Sequence, residues 1–346
     1  MTDFTSATDQ DGVAVITWDV PGKSMNVLSR EAFRHFDQLV AEALADDAVK
    51  GIVVTSGKDS FAGGMDLNVL ASIKQASGDD PAPALFEFLM EGHHALRRME
   101  RANLDPKTNK GGKPVVCAIP GMCMGIGTEI ALACHHRIMA DTPKGKIGLP
   151  EILLGMFPGM GGTTRYSRMV GAMAAAPVLL EGRVLDAKKA KSAQLIDEVV
   201  APEDLLSRAK EWVLSATDAD IVQPWDVKGW KMPGGAPYHP QGFMTFVGAS
   251  AMINGKTKGV YPAAKALLSS IYEGALVPFD TALKIEARWF TSILMDPTSS
   301  AMIRSLFINK EALEKGANRP DVADQKVQKV GVLGAGMMGA GIAYVA

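Results

Sequence analysis

The chain has 346 residues, which favours two domains, or one large domain with an appendage. Hydrophobic residues make up 47% of it and charged residues 21%, which excludes a disordered or collagen-like chain. The formal net charge is −2, so no basic excess indicates a nucleic-acid partner. The three cysteines are too few for a disulfide scaffold and lack the paired spacing of a zinc site, so no metal is predicted.

The N-terminal residues and the apolar stretches bear on where the protein works. The opening residues, MTDFTSATDQDG, have neither a basic start nor an apolar core, so we expect no signal or transit peptide. Glycine, proline or charge interrupts every apolar stretch within about 18 residues, so no transmembrane span is predicted. Few cysteines are typical of a reducing compartment, and the expected location is the cytoplasm.

The first 200 residues alternate between strand and helix patterns. Strands are predicted at Val13–Trp18, Gly51–Thr55, Val115–Ile119, Arg137–Ala140 and Asp197–Val200. Helices are predicted between them, over about 29–45, 85–100, 127–134 and 186–192. Such alternation implies parallel strands joined by right-handed crossovers, and therefore an α/β fold.

The composition changes at about Ile221. The run from there to Gly242 is rich in Pro, Gly and Trp, and we expect a connector draped over a surface. Residues 262–316 have a helical pattern throughout, and residues 319–328 form a polar linker. The apolar run Val330–Leu333 then predicts a final strand.

A glycine-rich turn follows that final strand. Gly334, Gly336 and Gly339 form a GxGxxG pattern that opens a small-residue helix, which is the context of a dinucleotide-binding fingerprint. The alternative is a helix that merely begins with glycines. An acidic residue for the ribose is expected about 20 residues later and is absent from this sequence, so we expect the opening of an NAD-binding domain without tight NAD binding.

Two glutamates stand in unusual apolar, glycine-rich surroundings. Glu129 lies in the first turn of the helix within GIGTEIALAC, and Glu151 follows a proline in LPEILLGMFPGMGG. Burial would raise the pKa of such carboxyls towards the range useful in acid–base catalysis. The structural alternatives are a helix-dipole contact for Glu129 and a surface position for Glu151.

Three other polar positions are interpreted as structural. Asp66, in SFAGGMDL, is expected to order its own turn by accepting local N–H groups. His93 and His94 are expected at the surface of their helix.

The sequence resembles the crotonase (enoyl-CoA hydratase) superfamily. The segments that carry the likeness are KSMNVLS, SFAGGMDL, GIGTEIALACHHRI and LPEILLGMFPGMGGTTR. The connector QPWDVKGWKMPGG and the helical stretch from YPAAKALL to PFDTALKIEARWF extend it. With the GxGxxG start, this order is similar to the N-terminal half of the multifunctional β-oxidation enzymes, the alpha subunits of trifunctional complexes.

That resemblance implies a fold and a domain plan. Residues 1–220 are expected to form a crotonase-type ββα spiral. Residues 221–328 would be a connector and helical linker region, and residues 329–346 the truncated start of a Rossmann-type NAD-binding domain.

The resemblance also implies an activity, the hydration of 2-trans-enoyl-CoA to 3-hydroxyacyl-CoA. Glu129 and Glu151 match the family's acid–base pair. The backbone N–H groups of Met65 and Ile126 match its oxyanion hole, the pair of donors that stabilises a developing enolate. The family usually has glycine where this chain has Ile126, and a main-chain donor survives that change unless the position needs a positive φ.

Cofactors and partners follow from the same resemblance. Hydration needs no cofactor, whereas the incomplete dehydrogenase domain would bind NAD through Gly334, Gly336, Met338 and Gly339. The expected partners are an acyl-CoA substrate and a thiolase beta subunit. Two alternatives are a Δ3,Δ2-enoyl-CoA isomerase of the same fold and a module whose main role is to dock a thiolase.

Overall fold

The strands predicted in the first half of the chain pair into one sheet. The computed structural model describes residues 2–320, 322–323 and 326–346. Its strands are β1 (Phe4–Thr8), β2 (Val13–Trp18), β3 (Gly51–Ser56), β4 (Val115–Ile119), β5 (Cys123–Met124), β6 (His136–Ala140), β7 (Ile147–Gly148), β8 (Val184–Leu185) and β9 (Glu198–Val200). The larger sheet has the order β1-β2-β3-β4-β6-β9, antiparallel at β1–β2 and parallel elsewhere. The predicted parallel α/β core is therefore confirmed.

Helices surround this sheet and continue beyond it. They are α1 (Arg30–Ala45), α2 (Leu67–Ala76), α3 (Ala82–Arg101), α4 (Ile126–Ala133), α5 (Gly162–Val170), α6 (Ala172–Leu179), α7 (Ala187–Ser192), α8 (Leu205–Ser215), α9 (Pro240–Thr257), α10 (Pro262–Gly274), α11 (Phe279–Met295), α12 (Pro297–Met302), α13 (Asn309–Glu314) and α14 (Met337–Val345). The smaller sheet, β5-β7-β8, lies among them. No helix in the described part of the chain is both long and apolar enough to cross a membrane.

Both faces of the large sheet are covered, which explains the continuous apolar runs of its central strands. Ile52 and Val54 of β3 belong to the main core, whereas Val53 between them packs into a second cluster with Ala209 and Val213 of α8. Since successive side chains of a strand point to opposite faces, a strand buried on both sides has no polar positions.

The connector after residue 220 is more ordered than the sequence analysis predicted. Trp225 lies in a short 3-10 turn, is buried, and stacks on Phe279 at 4.8 Å between ring centroids. The expectation of a connector as far as Gly242 is wrong at its end, because α9 begins at Pro240. Proline is favoured at the first helical position, since its missing N–H has no partner there in any case.

The described chain divides into two compact units, Met1–Arg304 and Ser305–Ala346. The second unit contains α13 and α14. The predicted strand Val330–Leu333 is wrong, because these residues have an irregular backbone and pair with no other described segment. A strand without a neighbour leaves its ladder hydrogen bonds unmade and has no independent stability. The domain limits 1–220, 221–328 and 329–346 stay a prediction.

Candidate active site

Two loops that leave the carboxyl ends of β3 and β4 run side by side. Ala62 donates its N–H to the carbonyl of Met122 and accepts from the N–H of Met124, both at 3.0 Å. Gly127 makes the approach possible, since a Cβ there would lie 2.4 Å from the Cβ of Ala62. The two glycine-rich motifs of the sequence, residues 60–66 and 121–129, are thereby joined.

Asn26 anchors the first of these loops and was missed as an individual residue by the sequence analysis. Its buried side chain accepts the N–H of Val20 at 3.0 Å and donates to the carbonyls of Trp18 and Phe61. Its backbone carbonyl accepts the N–H of Gly63 at 2.8 Å. A buried polar side chain flanked by apolar residues, as in SMNVL, is the sequence signal for such an anchor.

The backbone next to Met65 has a defined orientation. Leu28 donates its N–H to the carbonyl of Gly64 and accepts the N–H of Asp66, both at 3.0 Å. The N–H of Met65 faces the other way, and no group in the described ranges accepts it. Asp66 caps α2 by accepting the N–H of Asn68 at 2.9 Å, as predicted for a residue that orders the turn.

Ile126 is the first residue of α4, and its N–H likewise has no acceptor within the described parts of the chain. Its φ is not positive, so the side chain is accommodated where the family usually has glycine. The positive φ, 56°, belongs to Gly125 before it. A Cβ at Gly125 would lie 3.2 Å from Oε1 of Glu151 and 3.6 Å from Cα of Gly64. The two loops and Glu151 therefore meet at this glycine.

Glu129 is buried in the first turn of α4, with 3% of its surface exposed. Its Oε1 accepts two backbone hydrogen bonds, from Met160 at 2.7 Å and from Gly162 at 2.9 Å. Burial raises the pKa of this carboxyl to about 7, against the opposing effect of the two N–H donors and the charge of Arg165. One oxygen is therefore fixed, while Oε2 makes no hydrogen bond to the described residues.

Glu151 lies in a 3-10 turn, Pro150–Leu154, which ends at Gly155 in a left-handed conformation. The residue is half-buried, and its Oε2 is shielded with no hydrogen-bond partner among the described residues. Burial raises its pKa well above the usual range, and the negative charge of Glu129 raises it further. An unpartnered buried carboxyl oxygen is costly and is typical of a functional site.

A third carboxyl, Glu286 of α11, was missed by the sequence analysis. It is completely buried and accepts hydrogen bonds from the same turn that holds Glu129. Its position three residues after Leu283 and four before Phe290 places it on the apolar stripe of an amphipathic helix. A carboxyl on such a stripe was the available signal.

The cation near Glu129 belongs to a buried ion pair. Arg165 is fully buried and donates to both carboxyl oxygens of Glu100, at 2.9 and 3.2 Å.

The surface position expected for His93 is wrong, because its side chain is fully buried on the inner face of α3 between Leu89 and Leu96. Burial lowers the pKa of His93 to about 3, which keeps the ring neutral.

These groups can together move protons and hold an oxyanion. Two carboxyls with raised pKa values can serve as acid and base near neutral pH. Two backbone N–H groups without protein acceptors, Met65 and Ile126, can stabilise negative charge on a carbonyl oxygen.

The predicted nucleotide-binding residues lie in the second unit. Gly336 caps α14, and Gly334 has a φ of 104°. A Cβ at Gly339 would lie 1.9 Å from the carbonyl oxygen of Gly334, so the turn and the helix pack closely. Met338 is exposed on the first turn of α14. The helical part of the predicted fingerprint is formed, and the strand before it is not.

Comparison with known proteins identifies relatives. Residues 8–222, more than half of the chain, match the family described as Enoyl-CoA hydratase/isomerase. The fatty acid oxidation complex subunit alpha of Shewanella amazonensis is 35% identical over 345 residues, which are 99% of this chain and 46% of that protein. The protein of the same name from Idiomarina loihiensis is 36% identical over 343 residues, with the same two coverages. The chain thus spans about half the length of these relatives.

Solved structures share the fold. Human mitochondrial delta3-delta2-enoyl-CoA isomerase aligns with a TM-score of 0.61 and 20% identity, covering 91% of this chain and all of that one. Enoyl-CoA hydratase from Bacillus halodurans aligns with a TM-score of 0.58 and 19% identity, covering 88% of this chain and 100% of that one. The predicted crotonase-type fold is confirmed.

Proposed function

The chain belongs to the enoyl-CoA hydratase/isomerase family, and from that premise we propose that it hydrates 2-trans-enoyl-CoA to 3-hydroxyacyl-CoA. The proposal assigns Glu129 and Glu151 to proton transfer and the N–H groups of Met65 and Ile126 to the oxyanion hole. The observation that carries it is the fixed geometry of Glu129. One oxygen is anchored by two N–H groups, and the other makes no hydrogen bond to the described residues.

The reaction adds the elements of water across the conjugated double bond. One carboxylate accepts a proton from water as the water oxygen bonds to C3, and the other carboxyl delivers a proton to C2. Negative charge gathers on the thioester oxygen meanwhile, where the N–H groups of Met65 and Ile126 would hold it. This needs one ionised and one protonated carboxyl, and the raised pKa values of Glu129 and Glu151 favour that mixed state near neutral pH.

Product analysis tests the proposal against isomerisation. Hydration of crotonyl-CoA removes the ultraviolet absorbance of the conjugated thioester and gives 3-hydroxybutyryl-CoA. An isomerase of the same fold would instead convert a 3-enoyl-CoA to its conjugated isomer without adding water. The proposal expects water addition to the 2-enoyl substrate. Turnover of the 3-enoyl substrate alone, with no hydration, would contradict it.

A partner is proposed on separate grounds. The relatives are named as subunits of a complex, and we propose that this chain binds a thiolase beta subunit. Helix α9 supports a contact surface, because four large apolar side chains on it are exposed: Phe243, Met244, Val247 and Met252. Size-exclusion chromatography with a thiolase should give a co-eluting complex, and Met244→Glu should weaken it. Separate elution of the unaltered proteins would contradict the proposal.

An NAD site is proposed for the glycine-rich end. Gly334, Gly336, Met338 and Gly339 would hold the pyrophosphate of NAD at the start of α14, where Gly334 and Gly336 have open space in place of a Cβ. NAD would supply a hydride acceptor for oxidation of a 3-hydroxyacyl-CoA in a dehydrogenase domain. These residues form one part of such a site, so we expect weak binding by calorimetry. Tight binding to this chain would contradict that expectation.

A further inference from the structure

The turn that holds Glu129 is itself held by a carboxyl from outside residues 8–222. Oε1 of Glu286 accepts the N–H of Gly161 at 2.6 Å. Its Oε2 accepts the N–H of Thr164 at 2.8 Å and the hydroxyl of the same threonine at 2.6 Å. All of these atoms are buried, so no solvent competes for the donors.

Successive N–H groups of this turn therefore serve two different carboxyls. Met160 and Gly162 donate to Glu129, whereas Gly161, between them, donates to Glu286. Gly161 turns the backbone at this point with a φ of 99°, a conformation that residues with side chains rarely adopt.

The turn also has no room for a side chain at Gly161. A Cβ at Gly161 would lie 1.9 Å from a guanidinium nitrogen of Arg165. That arginine is fixed by Glu100 and donates to the carbonyl of Met160 at 3.3 Å. The turn is therefore held both by Arg165, through its pair with Glu100, and by Glu286.

A carboxyl at position 286 is costly as a packing residue. It is fully buried and pairs with no cation in the described chain. Burial and the nearby charge of Glu129 both raise its pKa, to about 8. An apolar side chain would fill the space between α11 and α5 without that desolvation cost. The carboxyl instead accepts three directional hydrogen bonds from one turn.

We propose that Glu286 is a positioning residue for the hydration proposed above, on which this inference rests. By holding Gly161 and Thr164, it keeps the N–H groups of Met160 and Gly162 aimed at Oε1 of Glu129. Oε2 of Glu129 is then left free for proton transfer in a fixed orientation. The helical region after residue 222 is accordingly part of the catalytic architecture.

Steady-state kinetics with crotonyl-CoA provide the first test. Glu286→Gln and Glu286→Ala should lower kcat by about 10- to 100-fold, with the alanine variant lower and KM within about threefold of wild type. Thr291→Val is the matched control, because Thr291 is a buried polar residue of the same helix whose hydroxyl, among the described residues, bonds only to the carbonyl of Ala287. It should lower the melting temperature and leave kcat unchanged.

Amide hydrogen exchange provides a second test that does not depend on activity. Loss of the Glu286 carboxyl removes acceptors from its direct partners, the amides of Gly161 and Thr164. The proposal expects faster exchange also at Met160 and Gly162, whose acceptor is Glu129.

Two results would overturn the proposal. One is unchanged exchange at Met160 and Gly162 in both Glu286 variants. The other is a kcat of the Glu286 variants that equals the kcat of Thr291→Val when both lose the same amount of melting temperature. If the wild-type chain does not hydrate crotonyl-CoA, the proposed function fails, and the exchange experiment still decides whether Glu286 positions the turn.

Discussion

At the scale of single residues, Glu129 illustrates how the fold sets chemistry through solvation. Burial removes water from its carboxyl, and two N–H groups replace only part of that hydration. The proton is therefore held more tightly than in an exposed glutamate. The same change that prepares the group for proton transfer makes the folded state sensitive to pH.

The raised pKa of Glu129 predicts a specific dependence of stability on pH. Its pKa rises from 4.5 to about 7, so between these values the folded chain keeps a proton that the unfolded chain releases. The free energy of unfolding therefore falls as the pH rises through this window. Glu129→Gln keeps the shape and removes the effect, so its stability relative to wild type should be higher at pH 8 than at pH 5, by up to about 3 kcal/mol.

Urea unfolding at the two pH values measures this difference. Glu87→Gln is a suitable control, because Glu87 is exposed on α3. Equal stability differences for Glu129→Gln at pH 5 and pH 8 would show that Glu129 is not the proton-binding group.

At the scale of elements, the turn at Gly125 brings three parts of the site together. It must join β5 to α4 while Gly64 and Glu151 lie against it. Gly125→Ala would combine a strained positive φ with a Cβ 3.2 Å from Oε1 of Glu151, and should lower hydration at least about tenfold. Because the ψ of Gly125 is −124°, outside the left-handed helical region, the strain alone should cost about 1–3 kcal/mol of stability.

Gly78→Ala separates strain from displacement of the carboxyl. Gly78 has a φ of 64° and nothing within 4 Å of the place a Cβ would occupy. Its alanine variant should lose stability through strain alone and keep full activity, measured by thermal melting and the crotonyl-CoA assay. Full activity in the Gly125 variant would disprove the proposed contact with Glu151.

The sequence predicted the elements whose burial has a simple period. The core strands β2, β3 and β4 and the Ser29-capped α1 were predicted within a residue or so, because buried faces impose that pattern directly. The positions of Glu129 and Glu151 could also be predicted from the sequence, since carboxyls are conspicuous among glycines. The apolar stripe of α11 could have marked Glu286, but its role could not be predicted, because it depends on a contact 125 residues away in the chain. The prediction of a strand at Val330–Leu333 was wrong because an apolar run cannot form a strand without a partner.

At the scale of the whole molecule, the helices after residue 222 belong to the first compact unit, which extends to Arg304. Phe290 of α11 packs edge-on against Phe157 at 5.4 Å, and Glu286 supplies acceptors for the active-site turn.

A chain ending after Arg304 should therefore melt cooperatively and retain hydration activity. A chain ending after residue 222 should leave buried donors and apolar surface exposed, and should aggregate or lose its cooperative melt. Calorimetry of the two truncations checks this, and a stable, active shorter chain would refute it.

If Glu129 and Glu151 both act on the substrate, replacing either of them must stop hydration. The rate of crotonyl-CoA hydration is measured for wild type, Glu129→Gln, Glu151→Gln and the exposed control Glu87→Gln, with circular dichroism to show that each is folded. We expect activity in wild type and in the control, and a loss of about 10²-fold or more in each of the other two. Near wild-type hydration by either folded active-site variant would contradict the proposed roles of the two carboxyls.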